Sequence, residues 1–465
     1  MAQCDEELWR DHLQNARWFQ GKGLPFRGMS IEPLPWCVSS GDVWVRSELA
    51  IVHAGDSESV YHLLVAYSLP GMCEPEAVVG QIDLPGRGVV DVVDVPRSPL
   101  AMRVLLTWLA GRTSGDGPHS YTAAANSERV CLGGPTDSQM NPSEDTTDSR
   151  EFSFKDPTDW ITWFEAPPDP DSAIMIFEGE QSNTTVVIGD SVLFKIFRKL
   201  SPGPNLECEV MRALASCSII PRLIGRWSAP EKTYDLGIFV QRIPDAQDGW
   251  AYALEACGNG VSIADEMEKL GETLHSLHAN LAEVFPTSTI DSGRVSAQML
   301  DRLDTACDQL PELAAHRDDL RGILTLPPSE IHIQRIHGDF HLGQALISPA
   351  GWTIIDFEGE PLKTPEERAA PDSVWRDVAG LLRSLDYARS THPHPESSSA
   401  YEWYDEARTA FLRGYLSSGT LPSALLTAYE VDKAIYELVY EVRNRPTWAD
   451  IPRHAITSAL SSPST

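Results

Sequence analysis

Arg335-Ile-His-Gly-Asp-Phe-His-Leu-Gly-Gln344, followed after a short turn by Gly351-Trp-Thr-Ile-Ile-Asp-Phe-Glu-Gly-Glu360, is the stretch on which the fold turns. Residues 344–348 (Gln-Ala-Leu-Ile-Ser) and 353–357 (Thr-Ile-Ile-Asp-Phe) are apolar, β-prone runs. Pro349-Ala-Gly351 separates them, so the segment is expected to double back as a hairpin. Gln344 then opens one strand and Asp356 ends its partner, which makes them cross-strand neighbours able to grip one metal ion. Asp339 lies in the loop just before, within reach of an incoming hydroxyl.

An acidic residue, a side-chain amide five positions on, and a second acidic residue opening Asp-Phe-Glu-Gly follow the spacing by which kinases set a catalytic Asp and two Mg²⁺ ligands. On this reading Asp339 is the base, and Gln344 and Asp356 hold the metal. A tight turn at His-Gly-Asp and an ordinary strand end at Asp356 would explain either piece alone, but not both at this spacing. His337 and His341 stand at i, i+4, yet a zinc pair at that spacing needs a helix, and Gly338 and Gly343 oppose one.

Upstream, residues 174–197 read as antiparallel strands with tight turns at Gln181-Ser-Asn183 and Gly189-Asp190. In a kinase such a hairpin covers the nucleotide phosphates and the next strand presents a lysine to them, the place of Lys195 here. There is no Gly-x-Gly-x-x-Gly, but Ser182, Asn183 and Thr184 are small and polar enough to approach phosphates through backbone N–H groups and hydroxyls. The helix expected over 206–216 carries Glu207 and Glu209, either of which could orient Lys195. Leu236–Ile243 reads as a strand and 244–249 as the hinge after it. Helices are expected at 263–284, 293–310, 312–324, 373–387, 401–416 and 425–443. The layout is therefore α+β and bilobal: a β-rich nucleotide lobe at 173–248 and a mainly helical lobe at 249–465.

Residues 1–110 read as an α+β cap, with a helix starting near 6, strands at 43–45, 50–53, 60–67 and 89–95, and a helix over 100–110. Residues 111–172 turn rich in Gly, Ser, Thr, Asp and Pro and are expected to be a partly mobile insert, within which Trp160-Ile-Thr-Trp-Phe164 is apolar enough to dock on a neighbour.

Composition narrows the chemistry. A chain of 465 residues with 42% apolar content supports two or three domains with sizeable cores. A net charge of −30 opposes binding to nucleic acid or anionic membranes, while leaving a neutral sugar acceptable. Its 8 cysteines include no Cys-x-x-Cys pair, which disfavours a disulfide framework or zinc ribbon and suits a reducing compartment. No apolar run reaches the ~18 residues of a membrane span, and the first residues lack the basic and apolar regions of a signal peptide, so a cytoplasmic protein is expected.

Taken together the chain resembles the actinobacterial maltokinases, relatives of the aminoglycoside phosphotransferase and choline kinase group. The resemblance rests on Arg17-Trp-Phe-Gln-Gly-Lys22, Glu180-Gln-Ser-Asn-Thr184, Leu193-Phe-Lys-Ile-Phe-Arg198, 335–344, 355–361, Arg376-Asp-Val-Ala-Gly380 through Tyr387, and Asp432-Lys-Ala-Ile-Tyr436 through Asn444-Arg-Pro-Thr-Trp448. It spans nearly the whole chain except 111–172, and departs at Asp372-Ser-Val-Trp375. It implies a protein-kinase-like body of the aminoglycoside phosphotransferase type under an N-terminal cap. It also implies ATP- and Mg²⁺-dependent phosphorylation of maltose at its anomeric hydroxyl, giving maltose 1-phosphate for α-glucan (glycogen) synthesis, and association with trehalose synthase or maltosyltransferase enzymes of that route. By position it makes Asp339 the base, Gln344 and Asp356 the metal ligands, Lys195 the phosphate lysine and Glu209 its partner. Glucosamine kinases share the architecture, so an amino-sugar acceptor is one alternative; a catalytically inactive, kinase-like regulatory scaffold is another.

For the acceptor, Tyr436, Glu437, Tyr440, Glu441 and Asn444 fall on one face of the expected helix, away from Ile435, Leu438, Val439 and Val442. Aromatic faces with charged hydrogen-bond partners suit a disaccharide, although the same stripe would serve as a solvated helix face. Candidate acceptor contacts are therefore His337, Tyr387, Glu437, Tyr440 and Asn444.

Overall fold

The structure, a computed structural model, describes residues 3–22, 24–55, 57–111, 160–177, 182–229, 233–360 and 363–461. Glu180, Gln181, Pro361 and residues 112–159 of the expected insert lie outside the described residues.

In the cap, the helix Gln3–Asn15 precedes five antiparallel strands, Phe26–Val38, Val43–Ala54, Ser57–Ser68, Val78–Leu84 and Gly88–Asp94, with the last two exchanged in spatial order. The strands expected at 43–45 and 50–53 are one. Arg46 and Glu48 interrupt the apolar pattern between them without breaking the strand, because Glu48 accepts from Arg46 Nε at 2.7 Å and from the Tyr67 hydroxyl at 2.5 Å. Phe26–Val38 hides in the sequence behind Pro33 and Pro35. It can carry them because it lies at the sheet edge, and its register shifts between Pro33 and Trp36. The helix Pro99–Ala110 closes the cap, its start capped by the Ser98 side chain.

The nucleotide lobe is a second antiparallel sheet, in the order Ile161–Trp163, Leu223–Ser228, Asp235–Gln241, Val192–Ile196, Thr184–Ile188, Ile174–Ile176. Its outermost strand corrects the expected boundary at 173. Trp160 and Trp163 are buried, and Arg226 pairs with Thr162, so the apolar end of the expected insert belongs to this lobe.

Cap and lobe share more than a boundary. The chain leaving the lysine strand pairs Lys199 with Tyr61 and Leu200 with Val60, adding a sixth strand to the cap sheet. His62 sits at this seam, accepting from the Ser47 hydroxyl at 2.9 Å and donating to the Phe197 carbonyl at 3.2 Å. Burial, and then the charge of Arg198, push its imidazole down to about 3. A folded-state pKa below the unfolded one means that the unfolded chain takes up the proton first, so stability is lost as pH falls from about 6.5 toward 3. The loss from this group should reach about 2 kcal/mol near pH 5. Urea titrations over that window should give a visibly shallower pH slope for His62→Gln than for the wild type; equal slopes would exclude His62 as the source.

The helical lobe carries Gly249–Gly258, Ala264–Val284, Ser292–Gln309, Pro311–Ala314, Arg317–Leu324, Trp375–Ser390, Ser398–Leu416, Ser423–Asn444 and Asp450–Ser461. The expected helices are present, with 312–324 broken at Ala315-His316. Gly249–Gly258 begins within the expected hinge, where Asp248 caps it by accepting from Ala251 N–H. The helices Ala264–Val284 and Ser398–Leu416 cross at Gly271 and Gly414. A Cβ on either would overlap a backbone carbonyl of the other, so the two pack backbone to backbone. Among the described residues no helix is long and apolar enough to cross a membrane.

Candidate active site

The loop bearing Asp339 is fixed from behind. Asp377, on the helix Trp375–Ser390, accepts from His337 N–H and Gly338 N–H, each at 2.8 Å, and is itself bonded to His278 Nε2 at 3.0 Å. Burial favours a neutral Asp377, but these bonds and the nearby imidazoles outweigh it and hold the carboxyl below its usual range. Gly338 takes φ +88°, which a side chain would resist.

His337, expected as an acceptor contact, does not line the cavity that Asp339 opens onto. It is buried; Nε2–H donates to the Ile355 carbonyl at 2.9 Å, and Nδ1 accepts from Asp339 N–H at 3.4 Å. It braces the loop to the strand that leads to Asp356.

The hairpin forms as expected: Ala345–Ser348 pairs with Gly351–Ile354, and Gln344 Nε2 donates to Asp356 Oδ2 at 3.2 Å. Asp356 adopts φ +65°, a left-handed conformation uncommon outside glycine, directly before the Phe-Glu-Gly run. Its other oxygen meets Lys195 Nζ at 2.7 Å. Lys195 also contacts Glu207 at 2.7 Å and Glu358 at 2.8 Å. Burial alone would depress the ammonium, but three carboxylates hold it well above its usual range. The same lysine keeps Asp356 low against the effect of burial. Burial and the two neighbouring acids push Glu207 up, to about 7.

The partner of Lys195 is thus Glu207 and not Glu209. Two residues along a helix differ by about 200° around its axis, so only one can face the strand. Glu209 is exposed and pairs with Arg335 at 3.3 Å. Glu207, Asp356 and Glu358 present oxygens within 4.8 Å of one another, with the Gln344 amide alongside. An all-oxygen donor set of this kind fits a hard cation such as Mg²⁺.

At the phosphate hairpin, Ser182 is exposed. Of the hydroxyls expected to face phosphates, that of Thr184 is turned elsewhere and accepts from Arg198 Nε at 2.8 Å; the Asn183 side chain accepts from Arg198 N–H at 3.2 Å.

Asp339 opens onto a cavity of about 1050 Å³. One wall is the expected stripe Tyr436, Glu437, Tyr440 and Glu441, joined by Tyr387, whose hydroxyl donates to Glu441 at 3.2 Å. Asn444 is not part of it. The helix ends at Asn444, which is exposed and donates to its own Tyr440 carbonyl, and the wall continues instead through Arg445 and Trp448. Lys433, one turn before Glu437, stands 3.8 Å from Asp339 and 3.7 Å from Glu360. The opposite wall is the cap, with Phe19, Gly21, Tyr61 and the adjoining Lys199. Lys433 was visible in the helical stripe as the preceding i, i+4 position; Phe19 and Gly21 belong to the Arg17–Lys22 cluster on which the resemblance partly rests, with no acceptor role read from it, and no local pattern marks Tyr61.

Residues 173–417 match the phosphotransferase enzyme family. A glucosamine kinase of Mycolicibacterium smegmatis is 25% identical over 313 residues, covering 60% of this chain and 78% of that protein. A glucosamine kinase of Streptacidiphilus jiangxiensis is 25% identical over 323 residues, covering 60% and 72%. The solved structure of a glucosamine kinase in complex with glucosamine, ADP and inorganic phosphate shares the fold over 97% of this chain and 98% of its own, with TM-score 0.60 at 18% identity.

Proposed function

Because the chain belongs to the phosphotransferase enzyme family, we propose that it moves the γ-phosphoryl group of ATP to a sugar hydroxyl, and that the sugar is maltose, giving maltose 1-phosphate and ADP. The observation that carries this is the placement of Asp339 on the large cavity, five residues before the amide that bonds Asp356. The acceptor hydroxyl would donate to Asp339 while its oxygen forms the new bond to the γ-phosphorus and the bond to ADP breaks. Lys195 offsets phosphate charge, and Lys433, 3.8 Å from Asp339, lies where it can help orient that carboxylate toward the acceptor. Mg²⁺, when held by Asp356, Gln344 and Glu358, would neutralise further phosphate charge.

A neutral disaccharide suits the cavity better than an aminosugar. Glu360, Glu437 and Glu441 face it, yet Arg376, Arg383 and Arg445 already pair with them at 3.0, 2.9 and 2.6 Å. A sugar ammonium would have to compete for these carboxylates. Tyr436 and Tyr440 are exposed on the cavity wall, where a second glucosyl unit would find aromatic surface to cover. The names of the sequence relatives favour glucosamine as the second reading.

Purified protein should be incubated with Mg–ATP and, separately, maltose, glucose, glucosamine and trehalose, with ³¹P NMR to place the phosphate. Phosphate on the anomeric oxygen of maltose is the expected result. Preference for glucosamine would transfer the assignment to the second reading, and bound nucleotide with no sugar phosphate from any acceptor would overturn the kinase reading.

A further inference from the structure

We propose that Arg198 is a positioning residue that fastens the phosphate-covering hairpin to the cap, which makes the cap part of the nucleotide machinery. The inference rests on the kinase reading above. Arg198 is 1% exposed, and its guanidinium is divided between two bodies. Nε donates at 2.8 Å to Thr184, the first residue after the turn of the hairpin. Nη1 donates to the His62 carbonyl and Nη2 to Asp94, both in the cap at 3.3 Å, and the group lies 4.8 Å from the centre of the Trp18 ring.

Burying a cation carries a desolvation penalty that an apolar side chain at the same place would avoid. What an apolar residue cannot do is hold the hairpin at a fixed angle through directed bonds. The tie also continues toward the chemistry. Asn183 accepts from Arg198 N–H, donates to Glu358 Oε1 at 2.7 Å, and Glu358 contacts Lys195 at 2.8 Å. The hairpin stem is thereby held between the cap and the carboxylates around the phosphate lysine. On the cap side, Trp18 precedes Phe19, which lines the acceptor cavity, and both rings lean on Tyr61 at 6.0 and 5.1 Å.

The test is calorimetric binding of Mg–ADP, without sugar, to the wild type and to Asp94→Asn, Thr184→Val and Arg198→Lys. Each variant should bind about fivefold to twentyfold more weakly. The effects of Thr184→Val and Arg198→Lys should be non-additive, because both break one tie. Asp94→Asn is the discriminating variant, since it lies in the cap and far from the nucleotide; assayed well below its own, lowered, melting temperature, it should weaken nucleotide binding and speed amide exchange in 184–188 more than in the other strands of the lobe. Wild-type affinity in Asp94→Asn, or additive losses in the other two, would overturn the proposal while leaving the kinase reading intact. A wild-type protein that binds no Mg–ADP would remove both.

Discussion

Asp339→Asn is expected to lower turnover by about 10²–10⁴-fold, the usual contribution of a positioned general base. The amide keeps the size and one acceptor oxygen but neither the charge nor the basicity that orient and deprotonate the acceptor. The fold should be untouched, because the loop is held by Asp377 through backbone N–H groups and by His337 through Ile355, neither of which uses the Asp339 carboxylate. Lys433 would lose one partner and keep Glu360. KM for ATP should stay within about twofold, since the lost group faces the acceptor. If the transition state is loose, the proton leaves late and the loss falls near the lower bound. Steady-state kinetics at saturating acceptor decide it: near-normal turnover would mean that the loop has another role.

Lys195→Met should cost both activity and stability. Methionine fills the same volume, but Glu207, Asp356 and Glu358 would then face one another with no cation between them. Removing one partner of a buried pair typically costs 3–5 kcal/mol; the partial exposure of Asp356 places the expected loss at about 3. Turnover should fall by at least about 10²-fold, as a preorganised charge opposite the phosphates disappears. The variant should also behave differently toward metal. Millimolar Mg²⁺ should recover a large part of its melting temperature, because a divalent cation can sit where the ammonium was, and should move the wild type far less. A variant that melts with the wild type, or that ignores Mg²⁺, would show that the three carboxylates do not depend on Lys195.

The core of the site was legible because it is local in sequence. Asp339, Gln344 and Asp356 fall within eighteen residues whose turn residues dictate a hairpin, and Lys195 lies in a strand whose alternation sets it apart from Phe194 and Ile196. Glu207 was confused with Glu209 because both are acidic residues in the first turn of one helix, and only the docking angle of that helix selects between them. His337 and Asn444 lie off the cavity wall for different reasons: the ring of one is taken up between the Asp339 N–H and the Ile355 carbonyl, and the other falls where its helix stops. The Arg17–Lys22 cluster was noticed, but not that it walls the acceptor cavity, since Phe19 and Tyr61 line the same cavity as Asp339 across some three hundred residues of chain. The strand Phe26–Val38 was lost to its prolines, and the cap–lobe seam to the shortness of a two-residue strand.

That two-residue strand, Lys199–Leu200, changes what the cap is as an inherited unit. A module that can be gained, lost or exchanged by recombination normally meets its host through a replaceable surface and a linker. Here the backbone of the host runs into the module's sheet, and a host arginine has its only ion-pair carboxylate among the described contacts, Asp94, inside the module. Deleting or swapping the cap would orphan a sheet edge and a buried charge together. A version of this protein without the cap would therefore have to be altered on the lobe side as well, with a different residue at 198 and a covered edge at Lys199–Leu200.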